Sequence, residues 1–145
     1  MYRVYMKKAI VILLHMVCFI PGPRPYKLHQ QGGLPTKDEW DELIRIAGGK
    51  SVAGGKLKET GTTHWNAPNT GATNSIGFTA VGSGFRSPDG VLYDIGKHGS
   101  YWGTANNAQD PYCIYIYYNS SNIITEVSPI DITSGIAFAV RYVKN

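Results

Sequence analysis

Between Gly54 and Arg86 the chain reads GGKLKETGTTHWNAPNTGATNSIGFTAVGSGFR, and this stretch restricts the possible folds more than any other. It is rich in Gly, Thr, Asn and Pro, which make turns for separate reasons: positive φ, side chain to backbone hydrogen bonds, and fixed φ. Neither a long helix nor an alternating strand can run through it. Trp65, Ile76, Phe78 and Phe85 recur between the turns, so each irregular excursion carries an apolar anchor whose burial offsets the entropy of ordering it. The stretch is therefore expected to be an ordered scaffold of close-packed loops and short strands. Lys56-Leu57-Lys58 is expected to open it as a short strand or extended segment.

Just before it lies a helix with both ends written in the sequence. Thr36 is placed as N-cap and Glu39, three residues on, completes a capping box. Pro35 faces Trp40 as a hydrophobic staple, and Asp38, Glu39, Asp41 and Glu42 crowd the positive end of the helix dipole. Trp40, Leu43, Ile44 and Ala47 fall at i, i+3, i+4 and i+7, one buried stripe. Gly48 supplies a left-handed stop. Gly48-Gly49-Lys50-Ser51 has the flavour of a phosphate loop, but Ile44 stands where a Walker motif needs its first glycine, so the stretch reads as a glycine-rich helix exit.

Beyond the scaffold the period changes to two. Ser87-Pro88-Asp89-Gly90 is a turn signal predicted to close a hairpin between Gly77–Arg86 and Val91–Ile95. Tyr101-Trp102-Gly103-Thr104 reads as a buried aromatic strand end before a polar loop over Ala105–Asp110. Pro111–Tyr118 alternates, with Tyr112, Ile114, Ile116 and Tyr118 on one side and Cys113, Tyr115 and Tyr117 on the other. Asn119-Ser120-Ser121-Asn122 makes a turn into a second strand over Ile123–Val127. Gly135–Val143 is almost continuously apolar, as a central strand buried on both faces must be.

The formal charge of +4 misrepresents the body of the chain. Five cations, Arg3, Lys7, Lys8, Arg24 and Lys27, precede Gly32, leaving nine Lys and Arg against ten Asp and Glu from there on. A near-neutral body lacks the basic face that phosphate-backbone binding needs, so no nucleic-acid partner is expected. Met1–Lys8 is basic and Ala9–Ile20 is apolar apart from His15, too short for a membrane span but matching the basic and apolar regions of an export signal. No Ala-x-Ala site follows. Residues 1–31 are accordingly read as a signal-like or non-native leader, the sole expected link to a membrane, and 32–145 as one domain, expected to be incomplete at its N-terminus, that is secreted or displayed at the cell surface.

Catalytic and metal chemistry find little footing. His64 and His98 have no acidic pair near them in sequence, so neither a metal nor any other cofactor is expected. Cys18 lies in the leader and Cys113 in the body, so removal of the leader leaves no internal disulfide. Cys113 reads as a small buried hydrophobe. No set of residues fills the roles of nucleophile, base and orienter, and no catalytic residue is assigned.

Gly33-Leu34-Pro35-Thr36 leading into Glu39-Trp40, the Gly54–Arg86 stretch, Tyr101-Trp102, the Tyr118–Asn122 turn and the closing Val140-Arg141-Tyr142-Val143 together resemble the Fibrobacter succinogenes major paralogous domain, over about Gly32 to Asn145. The resemblance implies an α+β fold related to C-type-lectin-like and formylglycine-generating-enzyme folds: a small twisted antiparallel sheet, one main helix and long ordered loops. It also implies an exported bacterial surface protein. The family's N-terminal strand region has no match in Met1–Gln31, its Arg-Cys-Val ending is Arg141-Tyr142-Val143 here, and its Trp-Trp-Ser-Ser element is Tyr101-Trp102-Gly103-Thr104. The expected function is non-enzymatic recognition of a glycan or surface protein, with Tyr101, Trp102, Tyr112, Tyr115, Tyr117 and Asn119 as the ligand-binding set, because flat aromatic and amide groups suit both partners. Calcium-dependent sugar triplets are missing, with Trp65-Asn66-Ala67 one carboxylate short. Two alternatives are a hypervariable binding protein of the diversity-generating-retroelement type, with Tyr112–Asn122 as its variable face, and a degenerate formylglycine-generating-enzyme-like enzyme.

Overall fold

The computed structural model describes residues 10–18 as backbone and residues 33–105, 111–127 and 134–143 in full. The remainder of the predicted leader and the predicted polar loop at 106–110 lie outside the described residues. The fold is mixed α+β, with helices α1 (Lys37–Ile46) and α2 (Lys50–Leu57) and a seven-stranded sheet.

Helix α1 follows its sequence closely. The Thr36 hydroxyl accepts from the Glu39 N–H at 3.2 Å while the Glu39 carboxylate accepts from the Thr36 N–H at 3.0 Å, so two orphan donors are satisfied reciprocally. At the other end the Gly48 N–H donates to the Arg45 carbonyl and the Gly49 N–H to the Ile44 carbonyl, with Gly48 at φ +98°. This is the paired bonding of a Schellman stop, and it requires the left-handed residue to be glycine. Trp40, Leu43, Ile44 and Ala47 are all buried.

Helix α2 corrects the expectation that the chain leaves α1 directly into loops and an extended Lys56–Lys58. Its glycines look like breakers, and each costs a helix about 1 kcal/mol relative to Ala, but here they are needed for close approach. A Cβ on Gly54 would stand 2.1 Å from the Asn122 carbonyl oxygen, and one on Gly55 2.4 Å from that of Gly71. The Gly55 N–H donates to the Ser121 carbonyl at 3.0 Å. Backbone packs on backbone, which composition alone cannot distinguish from a turn.

The strands are β1 (Ile10–Cys18), β2 (Phe85–Arg86), β3 (Leu92–Tyr93), β4 (His98–Thr104), β5 (Pro111–Tyr117), β6 (Ile123–Val127) and β7 (Ala137–Val143). Six run in the order β3-β2-β7-β4-β5-β6, and β1 pairs with β7. Pairing is antiparallel except where β4 meets β7 in parallel at Tyr101 and Ala139, so the expected antiparallel sheet is mixed at that contact. The predicted hairpin forms, with Phe85 opposite Tyr93 and Arg86 opposite Leu92, but its first arm is two residues long because Gly77–Gly84 stays in turns and isolated bridges. The apolar run of the predicted leader, over Ile10–Cys18, is paired with β7 in the intact chain.

Both helices lie on the first face of the sheet, where Trp40, Phe78 and Tyr101 form a ring cluster with centroids 5.6–6.3 Å apart. Tyr112, Ile114 and Ile116 of β5 join that core, while Cys113 and Tyr115 join a second cluster with Trp102, Phe138 and Val140. The predicted alternation of β5 and two-sided burial of β7 both hold.

The turn-rich stretch is tied to this frame by buried polar groups. Lys58 is fully buried, and its ammonium donates to the carbonyls of Thr70, Tyr117 and Ser120 at 2.8, 2.9 and 3.0 Å while lying 5.5 Å from the Trp65 ring centroid. Trp65 donates to the Ala80 carbonyl at 2.8 Å, and Asn69 to those of Glu59 and Gly61. The β-branched Thr79 sits at φ +53°, a strained setting for its type; the Asn74 amide and the buried Arg141 guanidinium hold it there, the latter at 2.7 Å from its carbonyl. Of the four predicted anchors, Trp65 and Phe78 are buried, Ile76 packs partly on the first core, and Phe85 serves the other face.

Candidate functional site

The six predicted ligand residues do not form one surface. Tyr101 is fully buried; its hydroxyl accepts from the Val81 N–H and donates to the Val81 carbonyl, both at 3.0 Å, and burial pushes its pKa up to about 12. It bolts the scaffold to β4. Trp102 is buried on the opposite face, stacked on Phe138 with centroids 4.5 Å apart. Tyr115 meets the same Phe138 ring edge-on at 5.9 Å, and burial, with Cys113 adding to it, raises its phenol pKa. Tyr117 is half-buried against His98, and Asn119 is exposed in the turn before β6. Alternation along a strand separates what sequence adjacency had grouped.

Tyr112 is the exception, because its ring is buried while its hydroxyl reaches Asp41 at 3.2 Å across the sheet-to-helix gap. That contact marks the floor of a groove of about 570 Å³ between α1, the first residues of α2, and β5 and β6. Lys37 pairs with Asp41 one helical turn along, and its ammonium stands 5.9 Å from the Tyr112 ring centroid. The pairing with Asp41 raises the Lys37 pKa. Burial raises that of Tyr112, and the neighbouring Asp41 carboxylate raises it further, although the Thr125 hydroxyl bond opposes the shift. Arg45 makes a two-pronged pair with Glu42, both bonds 2.7 Å. Lys50 reaches across the groove and donates to the Thr125 hydroxyl at 2.7 Å. Val127 leaves 54% of its surface open at the rim.

Lys37, Asp41, Lys50, Thr125 and Val127 escape a search for aromatic patches. The signal present for them is the polar face of α1, with Lys37 and Asp41 at i, i+4 spacing; nothing local points to β6. Chemically the groove offers fixed hydrogen-bond acceptors on Asp41, an ammonium on Lys50, hydroxyls on Tyr112 and Thr125, and apolar rim surface. A volume of this size falls within the roughly 300–1,000 Å³ of small-ligand sites.

A second polar array lies on β4. Ser100 Oγ is 2.9 Å from His98 Nδ1, and His98 Nε2 is 3.6 Å from Asp94 Oδ2. It has the composition of a hydrolytic triad, but Ser100 is fully buried and its hydroxyl cannot meet a substrate carbonyl. Burial lowers the His98 pKa against the opposing pull of Asp94, and the imidazole is packed between Phe85 and Tyr117. Among the described residues no group of three His, Cys, Asp or Glu side chains is placed to hold a metal ion, and no helix is long and apolar enough to cross a membrane.

No curated protein and no solved structure matches the chain. Residues 33–144 match the Fibrobacter succinogenes major domain, which takes in both helices, the turn-rich scaffold, the groove and β2 to β7. With that match spanning most of its length, the chain belongs to the Fibrobacter succinogenes major domain family.

Proposed function

We propose that this is a non-enzymatic recognition domain of an exported bacterial surface protein, and that it holds a polar ligand, a glycan or a segment of a protein, in the groove between α1 and β6. The observation that carries this reading is the convergence there of Tyr112, Asp41, Lys50 and Thr125 with exposed apolar surface at Val127. A few placed polar groups beside apolar surface are what orient a ligand in a small concave site. Of the aromatic residues first expected to bind, Tyr112 lines the groove, whereas Tyr101 is buried in the first core and Trp102 and Tyr115 pack on the opposite face of the sheet. We further read the fold as C-type-lectin-like; what supports it is a largely antiparallel sheet with helices on one face and long turn-rich segments pinned by side chains.

Binding of the purified chain to a glycan and surface-protein array tests the reading. Lys50→Glu and Tyr112→Phe should each reduce the captured signal at least fivefold with the melting temperature held, whereas Tyr93→Ala, remote from the groove, should leave it unchanged. Capture that survives both groove variants would remove the groove from the proposal. Export is tested separately, by fractionating cells that express the tagged chain; recovery in the cytoplasm alone would remove that element.

A further inference from the structure

We infer that the groove's partner is an extended acidic peptide segment that adds to the outer edge of β6 as a further strand; this rests on the groove being the recognition site. The direction in which each backbone group points follows from one hydrogen bond. Tyr118 donates to the Lys97 carbonyl at 2.9 Å, and these two residues are directly opposite in the register that pairs His98 with Tyr117. In an antiparallel ladder hydrogen-bonded pairs alternate with non-bonded ones. Tyr112, Ile114 and Ile116 therefore turn their backbone groups toward β4, and Cys113 and Tyr115 turn theirs toward β6.

Tyr115 faces Ile124 and Cys113 faces Glu126, so those pairs exchange the β5–β6 bonds. Ile123, Thr125 and Val127 turn their N–H and C=O groups away from the sheet; Ile123 is buried where α2 packs on the turn before β6, and Thr125 and Val127 form the open part of the edge. Among the described residues no strand pairs with that edge. The donors and acceptors of Thr125 and Val127, spaced two residues apart, match the main chain of an extended peptide, the recognition mode in which backbone bonds give affinity and alternate side chains give specificity. A sugar ring has no such repeat.

Charge selects the peptide's composition. Within the groove Asp41 is engaged by Lys37 and Tyr112, and Arg45 is engaged by Glu42. Lys50 extends over Thr125 with a neutral hydroxyl as its partner, placing an ammonium beside the edge where a neighbouring strand's side chains would lie. A second copy of β6 supplies no carboxylate there. By strand alternation Glu126 points to the face opposite Thr125, and an edge-to-edge pair keeps it there.

Selection of a phage-displayed random twelve-residue peptide library on the full-length chain, in parallel with the glycan array, tests this. Enriched peptides should be rich in Asp and Glu, and Lys50→Glu should weaken a synthesised one at least tenfold. Methylating its backbone nitrogens at alternate residues should weaken binding at least tenfold in one frame and less than twofold in the other, a readout that leaves the protein unaltered. Val127→Pro, which removes an outward N–H from an exposed residue and leaves the Thr125 hydroxyl in place, should weaken binding likewise where the chain remains folded. Tolerance of methylation in both frames, enrichment of basic peptides, or concentration-dependent self-association through β6 would each overturn the inference. Glycan capture without peptide enrichment overturns it and leaves the recognition reading standing; failure of both arrays removes both.

Discussion

The two ends of α2 put the same side chain to opposite uses. Lys58, at the C-terminal end, is sealed, and its three ammonium protons meet three main-chain carbonyls drawn from the scaffold and the β5–β6 turn. Lys50, at the N-terminal end, is exposed and touches the hydroxyl of Thr125. A lysine whose donors are all matched by fixed acceptors is a structural clamp, since losing it unties three main-chain segments at once. One whose charge is held by a single neutral hydroxyl still has charge to offer a partner. Residue type does not distinguish these roles; burial and the count of fixed acceptors do.

The sharpest way to break the comparison is to remove both charges. Lys58→Met should destabilise the fold by about 3–5 kcal/mol, because three hydrogen bonds from a buried ammonium are lost, each worth roughly 1–2 kcal/mol. Lys50→Met should change stability by less than about 0.5 kcal/mol, as exposed substitutions do. Urea denaturation of the two variants decides it, and equal effects would show that the clamp is no clamp.

The helix between the lysines gives the next test. Gly54→Ala gains about 1 kcal/mol of helix propensity but drives a methyl into the Asn122 carbonyl. Overpacking of this kind costs about 1–3 kcal/mol. A net loss of up to about 2 kcal/mol is expected, and a rise in melting temperature would mean that α2 does not pack backbone to backbone on that turn.

The smallest effect is in pH. Burial lowers the Lys58 pKa to about 8, while an unfolded lysine titrates near 10.4. Between those values the unfolded chain binds the extra proton, so stability should rise with pH, by about 1–2 kcal/mol. Tyr101 acts with the opposite sign. Its pKa of about 12 lies above the unfolded value near 10, so the native state keeps that proton longer and stability should fall from pH 10 to 12. Chemical denaturation across pH 7–12 should therefore show a maximum near pH 10. The rising limb should vanish in Lys58→Met and persist in Lys50→Met.

The same contrast explains which features could be read early. Helix α1 was fully readable because its cap, its stripe and its glycine stop are local signals, each satisfied within a few residues. Alternation in β5 and the apolar run of β7 were readable for the same reason. Helix α2 was not, since Gly54 and Gly55 look like turn formers until the carbonyls of Asn122 and Gly71 are seen against them. The candidate site was almost unreadable: one of six aromatic or amide candidates, Tyr112, reaches the groove, because pairing sends neighbours on a strand to opposite faces.

From residue order alone come the family, the mixed α+β class, the capped helix and the expectation that the turn-rich stretch is pinned by its rings. Tertiary structure decided which lysine is buried, which tyrosines are core, and where, among the described residues, the sheet edge lies. The physical reason is range. Caps, turns and periodicity are settled by contacts a few residues apart, whereas Lys58 to Tyr117, Asp41 to Tyr112 and Lys50 to Thr125 join groups whose separation along the chain carries no pattern.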